Sequence, residues 1–542
     1  MFKKCTVLFV SYLGCTTSIA NAEYPIDVPL TPIQQVLANQ ATLHCPLPEL
    51  RSQPVTQALD TLYRAMGYIS IWQDDARVSA WQTELEKLGA DGLNPAEYIV
   101  PAAPSDNPVC AELHHSAHYL LALEHLSRGR LEQQQYEAVW ISSAYLPKVQ
   151  MDVAELGVIG LQDMPKAFAN ARPSLQLYQQ LRAAYQQMPQ VPDFTPFPGG
   201  PLLRPGQADP RLPQLALRLQ LSGYFAPQAS AGPLEQPISA EAELVSGQPL
   251  IYEEALQQAV RAFQQAHGLQ PDAVVGPQTV AALNISPARR QQQVRINLER
   301  LRWLEARRQQ HSLLVNAAGS QALLYRGDEL LWQSRVQSGS PGRATPLLDS
   351  RINRVTLNPS WTIPPTIMRE DKLPQIRNDP DYFAGRNLLV LDHQGNQLNP
   401  AEVDWYNPRG VMLREPPGPH NPLGRMVFRF DNPFAVFLHD TPSRALFARA
   451  LRNVSSGCVR VEQADSLAEH LFQSLQPQQR ERIEQQMASG RTHEVGIRNG
   501  PQILLTYWTA EGLEDGSLLF TPDPYELDGP LISAYHRVTG LP

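Results

Sequence analysis

An imidazole and a thiol are the two side chains here whose types and spacing could make and break an acyl bond. One apolar run ends at Leu438-His439-Asp440-Thr441-Pro442, and nineteen residues after His439 the chain reads Ser455-Ser456-Gly457-Cys458-Val459-Arg460-Val461. Acyl transfer by cysteine needs a thiolate, which a neighbouring imidazole can generate, and backbone N–H groups to hold the oxyanion that develops on the attacked carbonyl. Gly457 suits a tight loop in which backbone donors face a ligand. Spacing alone does not separate this reading from a bland one, because a lone cysteine is most often a small buried hydrophobe. Arg460 fits a substrate carboxylate or a structural ion pair equally well, since arginine serves both. Asp440 reads as a turn residue that caps the loop after the strand.

The elements that would position these groups are short β-type runs. Ala322 to Tyr325 and Leu330 to Val336 flank the turn Arg326-Gly327-Asp328 and predict a hairpin. A second is predicted from Met426 to Phe430 and Phe434 to Leu438, around Asp431-Asn432-Pro433. Between the two, about 365–425 holds Tyr382, Phe383, Trp405 and Tyr406 among many prolines and glycines, too long for an ordinary connection. A lid over the site is expected there, with Trp405 and Tyr406 as substrate contacts unless its aromatics form a local core.

Ahead of this β-rich region the pattern is helical, with Leu175, Tyr178, Leu181 and Tyr185 spaced at three and four. Residues 23–188 are assigned to a helical scaffold and the Pro/Gly-rich 189–206 to a linker. A compact helical module is assigned to 207–286, a bridging helix to 287–309, the β-rich domain to 310–500 and an extension packed on it to 501–542. The fold class expected is therefore multidomain α+β, as a chain of 542 residues is too long for one ordinary core.

Residues 1–22 read as an export signal: Lys3 and Lys4 precede a short apolar run, and Ala20-Asn21-Ala22 fits a cleavage site. Cleavage would remove Cys5 and Cys15 and leave Cys45, Cys110 and Cys458. Cys45 and Cys110 could pair or stay as two buried thiols; in an oxidising compartment an odd count leaves one thiol free. Without Lys3 and Lys4 the chain carries 43 basic against 53 acidic residues, which offers no basic face for nucleic acid. No later stretch is apolar enough to span a bilayer. The histidines lack the paired spacings of a zinc site, and neither a G-x-S-x-G elbow nor a phosphate-binding glycine loop occurs, so no metal and no organic cofactor is expected.

Two family resemblances sharpen this. Ala259-Val260-Arg261-Ala262-Phe263-Gln264, His267-Gly268-Leu269, Asp272, Val275-Gly276-Pro277, Thr279 and Ala282-Leu283-Asn284 resemble the peptidoglycan-binding domain 1 family, which implies a small three-helix module. The His439 and Cys458 segments resemble the signature of the L,D-transpeptidase catalytic domain, the YkuD family, in its large YcbB-like branch. Pro417-Gly418-Pro419-His420-Asn421-Pro422-Leu423-Gly424, Leu357-Asn358-Pro359-Ser360-Trp361 and Asp91-Gly92-Leu93-Asn94-Pro95 fit the same branch.

The resemblance implies Cys458 as nucleophile, His439 as general base, the backbone of Gly457 and Cys458 as oxyanion donors, and Arg460 at a substrate carboxylate. Many relatives carry a second histidine where this chain has Ser456, which would then orient His439 or donate to the oxyanion. The implied activity is a periplasmic cysteine acyltransferase that forms 3-3 peptidoglycan cross-links from tetrapeptide stems, with other wall synthases as partners and carbapenems as acylating inhibitors. Hydrolysis of the same thioester, as an L,D-carboxypeptidase, or linkage of the wall to a lipoprotein would use the same nucleophile and oxyanion site. A wall-binding scaffold with an inactive β domain is the reading from another class.

Overall fold

The computed structural model describes residues 30–38, 45, 47–99, 107–142, 151–189, 191, 194–225 and 251–541; the expected export signal at 1–22 lies outside them. Helices dominate to residue 186, and their buried faces form one core in which Trp81, Tyr119 and Phe168 meet edge-on or tilted at 5.7–6.1 Å. Cys45 and Cys110 are joined by a disulfide with Cα atoms 5.8 Å apart, which leaves Cys458 as the free cysteine among the described residues. No described helix is long and apolar enough to cross a membrane.

Helix Pro287–Arg307 is the strut of the molecule, and it is buried on nearly every side although it is rich in charge. Buried charges are tolerated when each is paired. Arg302 pairs with Glu299 at 2.9 Å, while Arg300 takes Glu137 at 2.7 Å and Asp528 at 2.5 Å. The Asp91 motif docks the scaffold on this strut: buried Asp91 accepts from Arg172, Arg182 and Tyr178, and its carbonyl accepts from Arg302.

In the small module, Leu256, Val260 and Phe263 are buried on one face of helix Glu254–Ala266. The proline-rich stretch before it is not a free linker. Phe197 and Leu203 lie in the module's core, and Phe197 exchanges hydrogen bonds with the Asn284 side chain at 2.7 and 2.9 Å. Proline blocked regular structure there without preventing burial.

The β domain is built from β1 (Trp140–Ile141), β2 (His311–Asn316), β3 (Gln321–Arg326), β4 (Glu329–Gly339), β5 (Leu348–Leu357), β6 (Trp361–Thr362), β7 (Leu389–Leu391), β8 (Met412–Glu415), β9 (Met426–Phe430), β10 (Leu438–His439), β11 (Asn453–Ser455), β12 (Val459–Val461), β13 (His493–Gly496), β14 (Gln502–Thr506), β15 (Ala510–Gly512) and β16 (Leu518–Phe520). The main sheet runs β1-β5-β14-β2-β3-β4-β12-β10-β9, and β9 pairs back onto β5, so the sheet closes around Leu313, Leu324, Val336, Ile352, Phe428, Val459 and Ile503. The hairpin expected around Gly327 is β3–β4, with Arg326 opposite Glu329. Three expectations change. β10 is only two residues long, because the Asn432 side chain ties the turn to Phe430 and Val436 and holds 434–437 out of the ladder. A strand, β1, interrupts the helical region and pairs parallel with β5. The segment from 501 is not merely packed on the domain: β14 sits inside the sheet, between β5 and β2.

Residues from Trp361 to Glu415 form a separate lobe, a three-stranded sheet β6-β8-β7 packed on helical turns between Pro365 and Asn378. Its own core contains Ile363, Met368, Leu373, Ile376, Tyr382, Val390 and Leu413.

Candidate active site

β10 and β12 run parallel, with Leu438 opposite Val459 and His439 opposite Arg460. Parallel neighbours cannot be joined by a tight turn, so the chain must leave after His439 and return before Val459. Side chains along a strand alternate faces, and residues in register share one. His439 and Arg460 are thereby presented on the same face, and Cys458 stands in the bend immediately before β12.

His439 is buried, its ring 5.7 Å from Phe437, and its Nδ1 lies 2.6 Å from the Asp440 carbonyl oxygen. A carbonyl only accepts, so Nδ1 carries the proton and Nε2 keeps its lone pair. Burial first, then the Arg460 charge, pushes the His439 imidazole down to about 3. Cys458 is half-buried, its Sγ 3.9 Å from the Ala435 carbonyl oxygen, and the dense surroundings push its thiol up. Both shifts favour the neutral forms, the thiol and the unprotonated imidazole.

The loop before Cys458 is tied from inside. Ser455 Oγ donates to the Cys458 carbonyl at 2.5 Å and accepts from the Gly457 N–H at 3.2 Å. Gly457 adopts φ +107°, a conformation that only glycine enters readily. Two assignments from sequence change accordingly. The Gly457 N–H is already taken by Ser455, whereas the Cys458 N–H has no partner among the described residues. Ser456 does not meet His439; it is exposed, and its Oγ accepts from Arg343 at 3.0 Å.

Arg460 donates to Gln337 at 3.0 Å and has a buried Nε without a partner; no carboxylate pairs with it among the described residues. The ion-pair reading of Arg460 is therefore not realised in this structure. Trp405 stacks on Phe383 at 5.1 Å and donates to the Pro400 carbonyl, which makes it part of the lid's core. Tyr406 is 79% exposed under the Arg377 guanidinium. No hydrogen bond or ring contact links either to the Cys458 loop among the described residues. The described residues hold one cluster of metal-ligand type, Cys45, Cys110 and His114, and the disulfide occupies its sulfurs.

Residues 310–477, which contain this whole arrangement, match the family model described as "L,D-transpeptidase catalytic domain", YkuD. The chain carries a YkuD-type L,D-transpeptidase domain. Residues 57–184 match a "Scaffold domain" and 243–283 a "Putative peptidoglycan binding domain". A Haemophilus influenzae protein named "Putative L,D-transpeptidase" is 35% identical over 240 residues, 44% of this chain and 48% of that one. The chain thus spans about half the length of this curated relative. Solved L,D-transpeptidases from Xylanimonas cellulosilytica (17% identity, 57% of this chain, 98% of that chain, TM-score 0.18) and Mycobacterium smegmatis (12%, 36%, 58%, 0.18) also match. These TM-scores are low, and the domain assignment rests on the sequence match.

Sequence reasoning missed the residues that brace the Cys458 loop from a distance. Thr345 Oγ1 donates to the Gly457 carbonyl at 2.9 Å and accepts from the Gly339 N–H at 2.8 Å, and the Tyr525 hydroxyl donates to the Gly339 carbonyl at 2.8 Å. Arg343 joins three elements: it reaches Ser456, chelates Asp371 at 2.7 Å through both Nη atoms, and takes Glu370 at 2.9 Å. The turn of the lobe at 368–372 is thereby fastened to the Cys458 loop. Pro341-Gly342 before Arg343 signals a turn, and nothing in the sequence ties that turn to residues about thirty and over a hundred positions away. Asp440 serves as a buttress, accepting from the Arg425 N–H at 2.9 Å and from Arg444 at 2.6 Å.

Proposed function

We propose that this chain is an L,D-transpeptidase that forms 3-3 peptidoglycan cross-links through a Cys458 thioester, with no metal or organic cofactor in the reaction. The observation that carries this reading is the strand register that sets His439 beside Arg460 with Cys458 in the bend just before β12, with Nε2 of His439 unprotonated and Arg460 lacking a carboxylate partner among the described residues.

In the proposed first half-reaction, the Cys458 thiol gives its proton to His439 Nε2 as Sγ attacks the carbonyl of the third stem residue, a diamino acid. The Cys458 N–H, open to the site, stabilises the oxyanion; the Gly457 N–H joins it only on leaving Ser455. Collapse breaks the C–N bond, His439 returns the proton to the leaving amine, and D-alanine departs. In the second half-reaction the side-chain amine of another stem gives a proton to His439, attacks the thioester and restores the thiol. Arg460 holds a stem carboxylate. Tyr406 is the lid aromatic still available to substrate, whereas Trp405 serves the lid's own packing.

The peptidoglycan-binding match supports a place outside the cytoplasmic membrane, in the periplasm, reached through the export signal expected at 1–22. A carbapenem would acylate Cys458 by the same attack on an amide-like carbonyl, and wall synthases that supply new stems are the expected partners. Mass spectrometry of the protein and of Cys458→Ala, each incubated with disaccharide-tetrapeptide, tests the reading. A 3-3 dimer with loss of D-alanine, absent in the variant, is expected. Tripeptide without dimer would assign water as the acceptor, and a dimer that survives in Cys458→Ala would overturn the mechanism.

A further inference from the structure

Between the small module and the hairpin β15–β16 lies a cavity of about 380 Å³ whose wall carries two guanidiniums, Arg218 and Arg290, among Tyr224, Phe263, His267 and Phe520. This size is within the range of small-ligand sites. Arg218 comes from helix Leu212–Leu221 of the module and Arg290 from the strut helix, and both side chains are at least nine-tenths buried.

Two other buried arginines of the strut are paired with acids: Arg300 takes Glu137 and Asp528, and Arg302 takes Glu299. At the cavity no acid among the described residues pairs with either arginine. Arg218 donates to the Leu283 carbonyl and to Ser222 Oγ, and Arg290 to Gln293 and the Ala282 carbonyl, all neutral acceptors. Aromatic faces of Phe194 and Phe520 lie 3.6 and 4.5 Å from the two guanidiniums and offset only part of what desolvation costs. Burial lowers each to about 10, so both stay protonated at neutral pH and repel one another. His267 is not a third cation, because burial and the Arg290 charge push it well down, and its Nδ1 bonds the Phe263 carbonyl at 2.7 Å.

We propose that this cavity binds a carboxylate-bearing fragment of the wall polymer, its carboxylate between Arg218 and Arg290 and its body against Tyr224 and Phe263. The identity of the polymer rests on the function proposed above; the anion chemistry rests on two buried guanidiniums on one cavity wall with neutral acceptors alone among the described residues. A ligand here bridges the module, the strut helix and the β15–β16 hairpin; elsewhere the module touches the connection between His439 and Cys458, where Gln270 accepts from the Ala450 N–H.

Isothermal titration of the full chain, with Cys458 alkylated by iodoacetamide to close the catalytic site, tests the proposal. One arm uses the tripeptide L-Ala-γ-D-Glu-diaminopimelate, whose carboxylates belong to the stem, and the other uses N-acetylmuramic acid, whose carboxylate belongs to the glycan. Saturable one-to-one binding in at least one arm is expected, weakened by about tenfold or more in the Arg218→Gln/Arg290→Gln double variant. Ala266→Trp, which fills the cavity and spares both charges, should abolish it, and this variant decides the matter where the double variant fails to fold. Binding unchanged in Ala266→Trp, or absent in both arms, overturns the proposal. Turnover of unalkylated protein is read separately, so a missing transpeptidase activity and a missing cavity ligand give different results.

Discussion

Substitution of Arg460 by glutamine separates the two tasks that its position assigns to it. A charge-assisted contact between a guanidinium and a carboxylate in a partly buried site is worth about 1.5–3 kcal/mol. At about 1.4 kcal/mol per factor of ten, its loss predicts a fall of roughly 10–150-fold in kcat/KM for the donor stem, mostly through KM. The second task is electrostatic. The His439 imidazole, lowered to about 3 by burial and then by Arg460, loses its function as a base when pH falls through that value. Removing the positive charge raises the imidazole, so the acid limb of kcat/KM moves to higher pH in the variant and stays below the ordinary histidine range, because burial remains. The assay is steady-state release of D-alanine across the acid range, with a normal stem and one amidated at its carboxylates. Amidation should cost the parent enzyme about what the substitution costs, and should cost the variant little more. A fall in kcat/KM of less than about threefold, or an equal amidation penalty in parent and variant, refutes the assignment of Arg460 to the carboxylate.

Two further perturbations address the supports of the loop. Thr345→Val keeps the shape and orphans the buried Gly339 N–H, at about 1–3 kcal/mol; Tm should fall by about 2–10 °C and kcat should drop with little change in KM, whereas an unaltered kcat would remove Thr345 from the bracing of Gly457. Arg343→Ala breaks half-exposed ion pairs, so Tm should stay within about 2 °C of the parent, while amide exchange at 368–372 should speed up about tenfold or more; unchanged protection there would mean that Arg343 does not fasten the lid.

How much could be read in advance follows from the range of each signal. His439, Cys458 and Arg460 stand out through two short motifs that resemble a family signature, each encoded within a few residues, whereas the parallel register of β10 and β12 that brings His439 opposite Arg460 carries no local signal. Ser455 and Ser456 could not be told apart from sequence, since the turn through Gly457 at φ +107° decides which hydroxyl faces inward. Trp405 and Tyr406 posed the same problem of adjacent positions with opposite fates. The error at residue 501 had a visible warning: Ile503-Leu504-Leu505 is the continuous apolar run of a strand covered on both faces, but its partners β2 and β5 lie about 150–190 residues earlier. Phe197 and Leu203 were lost among prolines, where absence of regular structure was read as absence of a core.

The combination of a raised thiol and a lowered imidazole looks ill suited to a nucleophile, yet it follows from the fold and has a chemical consequence. His439 is buried opposite Arg460, so it cannot hold a charge cheaply, and in the proposed mechanism the proton stays on Cys458 until a carbonyl is in place to accept the attack. Oxidation and disulfide exchange both proceed through the thiolate. A free cysteine proposed to work in an oxidising compartment is therefore shielded at rest by the same burial that raises its pKa, and the ionic form of the pair arises only as Sγ bonds to substrate, when the Cys458 N–H and Arg460 have an oxyanion and a carboxylate to hold.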